Sequence, residues 1–110
     1  MLVLLMVDVR EYIDAASRSP YGRWFVSLNP QARAKVAIAL TRIEQGNLSS
    51  IKAVGGGVLE CRIDFGPGYR IYMGRDGDRL IILLGGGTKK RQQRDIEKAQ
   101  ALWQQYKHRK

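Results

Sequence analysis

Three residues in the second half of the chain have the types and spacing to grip a phosphate. They are Arg62, Arg70 and Tyr72, with Lys89 and Lys90 following a run of three glycines. From Val58 the sequence alternates: Leu59, Cys61, Ile63 and Phe65 are apolar or weakly polar, while Glu60, Arg62 and Asp64 are charged. That period of two predicts a strand with one buried and one charged, solvated face. Alternation also puts Arg70 and Tyr72 on one face of the next strand, and pairing across Gly66-Pro67-Gly68 lets them share a surface with Arg62. Lys89 and Lys90 then sit at the rim, where the free N–H groups of a loop and a helix start favour anions. The plain alternative is that Arg62 pairs with Glu60 or Asp64 on an ordinary sheet face.

Other residues are poorer candidates. Gly85-Gly86-Gly87-Thr88-Lys89 lacks the spacing of a nucleotide-binding P-loop, and its threonine precedes the lysine, so a nucleotidase is rejected. His108 is the sole histidine and lies in a charged tail; Cys61 is the sole cysteine. No intrachain disulfide, no cysteine-based zinc site and no histidine-based metal site is expected, which fits a reducing cytoplasm. Trp103 and Tyr106 have the spacing of core residues rather than of a base-stacking platform.

Elements must position these side chains. Residues 2–13 are read as a strand buried on both faces; the run Met1–Val7 lacks a basic leader and is too short to span a bilayer, so neither a signal peptide nor a membrane span is expected. Ser19-Pro20 and Asn29-Pro30 are each an N-cap followed by a first-turn proline, predicting two helices. The first carries Trp24, Phe25 and Leu28; the second runs to about Gln45 with Val36, Leu40 and Ile43 on one stripe and Gly46 at its end. Strands follow over Val58–Phe65, Tyr69–Arg75 and Leu80–Leu84, the last a continuous apolar run suited to a central strand, with Asp76-Gly77 as a hairpin signal. The glycine triplets 55–57 and 85–87 are read as loops. Gln92–Tyr106 has Ile96, Ala99, Trp103 and Tyr106 at helical spacing. The expected class is α+β in the order β-α-α-β-β-β-α, with residues 1–110 as one domain.

The chain has 110 residues and a formal net charge of +9. Six basic and four acidic residues fall in positions 1–50, against thirteen and six in positions 51–110. A polyanion is the expected partner, engaged by the second half.

The run Leu59-Glu60-Cys61-Arg62-Ile63-Asp64-Phe65-Gly66-Pro67-Gly68-Tyr69-Arg70-Ile71-Tyr72, then Gly74-Arg75-Asp76-Gly77 and Asp95-Ile96-Glu97-Lys98-Ala99, resembles the phage Gp49-like, HigB-related branch of RelE/ParE toxins. Ser19-Pro20, Trp24, Leu28, Arg42 to Asn47 and Lys52 extend the resemblance over nearly the whole chain. It implies a RelE-like fold with an antiparallel-rich sheet packed on an N-terminal helical hairpin and a C-terminal helix. It also implies the toxin half of a toxin–antitoxin pair that cleaves messenger RNA on the ribosome without metal or cofactor. The partners implied are that mRNA and a cognate antitoxin encoded alongside, whose acidic or helical segment covers Arg62, Arg70 and Lys89. The family's alternatives are inhibition of DNA gyrase in the manner of ParE, or binding without catalysis.

By resemblance, Arg70 holds the scissile phosphate, and Arg62 and Lys89 stabilise the transition state. Glu60, Tyr72 and Asp95 are the candidates for general base, Asp95 standing near the position of the RelE tyrosine. Where the branch carries Gly-Gly-Asp-Lys this chain has Gly86-Gly87-Thr88-Lys89. Lys52, Lys90, Arg91 and Arg94 are expected to bind RNA. An exposed Arg70 would contribute little to stability, so Arg70→Ala is expected to abolish toxicity with little loss of folding.

Overall fold

A computed structural model describes residues 6–110. The elements are β1 (Asp8–Glu11), α1 (Pro20–Ser27), α2 (Pro30–Glu44), β2 (Ile51–Gly55), β3 (Val58–Ile63), β4 (Tyr69–Asp76) and β5 (Leu80–Thr88), then a 3-10 turn (Lys89–Arg91) and α3 (Gln92–His108). The five strands form one mixed sheet in the order β1-β5-β4-β3-β2. β1 runs parallel to β5, and the other neighbours are antiparallel. The α+β class and the RelE-like order are as the sequence predicts, with β2 as an additional strand.

The helices begin where the capping signals lie. Ser19 Oγ accepts the Gly22 N–H at 2.8 Å, Asn29 Oδ1 accepts the Ala32 N–H at 2.8 Å, and each cap is followed by its proline. Two bonds close α2: Gly46 N–H donates to the Ile43 carbonyl at 2.9 Å, and Asn47 N–H donates to the Arg42 carbonyl at 2.9 Å. That Schellman closure needs a residue at positive φ, and Gly46 sits at 84°.

Each face of the sheet carries its own core. On one, Tyr21, Val36 and Ile43 of the α1–α2 hairpin pack on Cys61, Ile71, Met73, Ile81 and Leu83. On the other, Ile96, Ala99 and Trp103 of α3 pack on Val58, Tyr72, Ile82 and Leu84. Covering both faces buries β4 from Tyr69 through Gly74, and each fully buried Ile or Met there contributes roughly 1.5–3 kcal/mol. Leu80–Leu84 behaves as an interior strand, with Ile81 through Leu84 all buried.

Three expectations are corrected. The first strand was read over residues 2–13 as buried on both faces; residues 1–5 lie outside the described residues, and β1 is a four-residue edge strand whose Asp8, Arg10 and Glu11 are exposed. At the edge of the sheet its polar side chains stay in water, where Arg10 pairs with Asp8 at 2.8 Å. Gly85-Gly86-Gly87 is the end of β5 rather than a loop, paired with Tyr72, Ile71 and Arg70. Glycine is placed there for close approach: a Cβ at Gly86 would enter the Trp24 ring, and one at Gly87 would enter the Asp95 carboxyl. The charged face of β3 is the third: Glu60 lies beneath α3, out of contact with solvent.

Candidate functional site

The register of the sheet builds the site in two rows. Lys52 stands opposite Glu60, Glu60 opposite Tyr72, and Tyr72 opposite Gly85. In the next row Arg62 stands opposite Arg70, and Arg70 opposite Gly87. Directly opposed residues share a face, so Lys52, Glu60, Arg62, Arg70 and Tyr72 all project toward the α3 side. Both rows end in glycine, and the space left above Gly87 is taken by Asp95 from the first turn of α3.

Glu60 is the centre of this arrangement. Its Oε1 accepts a hydrogen bond from Arg62 Nε at 2.9 Å and its Oε2 accepts one from Gln92 Nε2 at 2.9 Å. Arg70 Nε lies 3.5 Å from Oε2 as an ion pair, and Arg70 Nη1 donates to the Gly68 carbonyl at 3.2 Å. Burial alone would raise the Glu60 pKa, but the hydrogen bonds from Arg62 and Gln92 and the charge of Arg70 outweigh it and hold the carboxyl below its usual range.

The two arginines differ sharply in access. The Arg62 side chain is 49% exposed, whereas Arg70 is only 5% exposed. The solvent-facing Arg70 read from alternation is therefore corrected: α3 lies over it, so it cannot be removed without leaving Glu60 short of a partner. Arg62 does pair with Glu60, as the plain alternative had it, but the carboxylate is buried and the guanidinium is presented outward from it.

Tyr72 is buried, with its hydroxyl near enough to the Glu60 carboxyl for the two to shift each other's titration but outside good hydrogen-bond geometry. Burial, with the nearby Glu60 charge, pushes its pKa well above the ordinary tyrosine value. Asp95 Oδ2 is likewise buried and unpartnered among the described residues. Burial raises the Asp95 pKa, and the charges of Lys98, Arg91 and Arg94 only partly oppose the shift. The two carboxyls are thus tuned in opposite directions, a pattern that separates a fixed charge from a proton carrier.

The cations expected at the rim, Lys89 and Lys90, and the others expected to bind RNA, Lys52, Arg91 and Arg94, are all exposed. Lys89, Lys90 and Arg91 form the 3-10 turn after β5, Arg94 lies in the first turn of α3, and Lys52 stands on the edge strand β2. Lys89 N–H donates to the Gly68 carbonyl at 2.9 Å, tying this turn to the β3–β4 turn. Gln92, the second donor to Glu60, was missed from sequence; its signal was its place four residues before Ile96, on the inward stripe of α3.

Residues 23–105 match the family described as phage-derived protein Gp49-like. The chain is also 41% identical over 86 residues to an uncharacterized protein of Haemophilus influenzae, a match covering 77% of this chain and 87% of that one. With the family match running from within α1 through α2 and β2–β5 to nearly the end of α3, the chain belongs to the phage-derived Gp49-like family, which is associated with the toxins of addiction modules.

Proposed function

We propose that the chain is a toxin of the RelE/ParE kind, on its HigB-related branch, that cuts messenger RNA on the ribosome and is silenced by a cognate antitoxin. The observation that carries this reading is Arg62: a half-exposed guanidinium held at 2.9 Å by a carboxylate that Arg70 and Gln92 hold in turn. Because its orientation is set in advance, such a cation stabilises charge on a phosphate without reorganising during the reaction.

In the step proposed, a ribose 2′-hydroxyl gives up its proton and attacks the adjacent phosphate, a 2′,3′-cyclic phosphate forms, and the 5′-oxygen of the next nucleotide leaves, taking a proton from solvent water. Arg62 and Lys89 offset the negative charge that develops on the phosphate oxygens. Glu60, with its lowered pKa, is a weak base and acts as a positioning residue, as does the buried Arg70. Asp95, with its raised pKa, is the better acceptor for the 2′ proton, and Tyr72 stays protonated and able to donate. Lys52, Lys90, Arg91 and Arg94 engage flanking phosphates. Among the described residues no helix is long and apolar enough to cross a membrane, and action in the cytoplasm as one domain is part of the same proposal.

A second reading is supported by the burial of Arg70 and Tyr72: a member that binds nucleic acid or antitoxin without cutting. Induced expression in bacteria, with and without the adjacent gene, separates the readings. Growth arrest relieved by the neighbour is expected of the nuclease, absence of arrest supports binding alone, and arrest with altered plasmid supercoiling supports gyrase as the target.

A further inference from the structure

β1 accompanies β5 only as far as Glu11 opposite Leu83. Tyr12 N–H adds one bond, to the Leu83 carbonyl at 2.9 Å, and the chain then turns away. Asp14 Oδ1 holds that turn by accepting the N–H groups of Ala16 and Arg18, each at 2.9 Å. From Leu84 onward β5 has no strand on this side. Between its open edge, the start of α1 and the flank of α3 lies a cleft of about 560 Å³, well inside the range of about 300–1,000 Å³ typical of small-molecule sites.

The cleft is open beside Gly85, where an added Cβ would meet no heavy atom within 4 Å. The walls are apolar, from Trp24, Leu84 and Leu102. At the rim stand Arg18, Arg23 and Lys98, none of which has an ion-pair partner within 4 Å among the described residues. Asp95 and Tyr72, each with a buried and unpartnered oxygen among the described residues, also line it. Apolar walls suit a flat ring, free backbone and a carboxyl suit its polar edge, and unpaired cations suit a phosphate.

We propose that this cleft binds one nucleotide of single-stranded RNA, its base between Trp24 and Leu102 and its phosphate on Arg18, Arg23 and Lys98, a proposal that rests on the RNA reading above. Asp95 and Tyr72 belong to both this cleft and the Glu60 cluster, so the base held here neighbours the nucleotide that is cut. The cleft thereby supplies base preference, while the Glu60 cluster supplies chemistry. A peptide strand added to the open β5 edge is the competing occupant, but it would use neither the three cations nor the apolar walls.

The test is a titration of the purified, isotope-labelled chain with each of the four nucleoside 5′-monophosphates and with inorganic phosphate, read by amide NMR. Saturable shifts confined to residues 18–24, 84–87 and 95–102 are expected with at least one nucleotide. The Arg23→Ala, Lys98→Ala double variant should weaken binding tenfold or more with an unchanged melting temperature. Equal shifts from phosphate alone would overturn the base claim, as would silence at these amides. Protection of the Gly85–Gly87 amides by the neighbouring gene's product, with no nucleotide effect, would assign the edge to a protein strand and also overturn it. No cleavage is needed for this readout: nucleotide binding by a chain that leaves transcripts intact would sink the nuclease reading alone, and cleavage with silent amides would sink the cleft alone.

Discussion

At the scale of the residue, the two site arginines differ in whether they can be removed without dismantling the fold. Arg70→Ala leaves the buried Glu60 carboxylate short of a cation, and a destabilisation of about 3 to 5 kcal/mol is expected by urea titration. Arg62→Ala also takes a hydrogen-bond donor from the buried Glu60 carboxylate, but its half-exposed side chain leaves room for water to replace it, so a loss of about 1–3 kcal/mol is expected, together with loss of toxicity. Arg70→Ala therefore does not spare folding as alternation alone predicts, and Arg62→Ala is the variant that separates toxicity from stability. The carboxyls separate by pH. Glu60 has a lowered folded pKa, so its stabilisation is fully present above the unfolded value of about 4.3 and is lost as pH falls through the folded value. Asp95 has a raised folded pKa, so its contribution is present below about pH 3.9 and is lost as pH rises through the folded value. Glu60→Gln should therefore flatten the loss of stability below pH 4.3, and Asp95→Asn should raise the urea midpoint at pH 7 but not at pH 3; the reverse pattern would contradict the assigned environments. The members of this site were legible because strand alternation and a Gly-Pro-Gly turn place Arg62, Arg70 and Tyr72 on one face. Their burial was not, because alternation separates two faces without saying whether the second is covered. The cover comes from α3, whose Gln92 and Asp95 reach back over the sheet from beyond the end of β5.

At the scale of the element, Gly86 of β5 and Gly74 of β4 are positions intolerant of a side chain. A Cβ at Gly86 collides with the Trp24 ring and one at Gly74 collides with Trp103, so each alanine variant forces a packed aromatic off its strand. A loss of roughly 1–3 kcal/mol is expected for each, measurable by thermal denaturation; Gly77→Ala serves as a control for positive φ alone, since nothing lies within 4 Å of its Cβ position. The helices were legible because a cap and a proline are local, chemically specific signals, and Ser19, Asn29 and Gly46 act as their side chains or φ preferences dictate. The run 85–87 was misread because three consecutive glycines have the composition of a loop. What makes them a strand is distant: pairing to Arg70, Ile71 and Tyr72, and two bulky side chains that require the space. β2 escaped notice for a related reason, as Ile51–Gly55 is a short edge strand with mostly exposed side chains and no buried alternation of its own.

At the scale of the whole molecule, a charge of +9 with most of the cations in the second half gives α3 and the β5 end an electrostatic attraction for polyanions that depends on salt. If Lys90 engages a phosphate, Lys90→Ala should reduce the magnitude of the slope of log K against log salt by about 0.7 for a single strand, measured by filter binding. An unchanged slope would remove Lys90 from the interface. The antitoxin in this account neutralises the same cations and hides Arg62, which ties silencing to the catalytic surface. The most direct measurement is primer-extension mapping of transcripts after controlled expression of the native chain and of Arg62→Ala. New cuts within translated codons, present with the native chain and gone with a folded Arg62→Ala protein, are the predicted result; growth arrest with intact transcripts, or cuts that persist in the variant, would contradict the claim that Arg62 is the fixed cation of an RNA-cutting toxin.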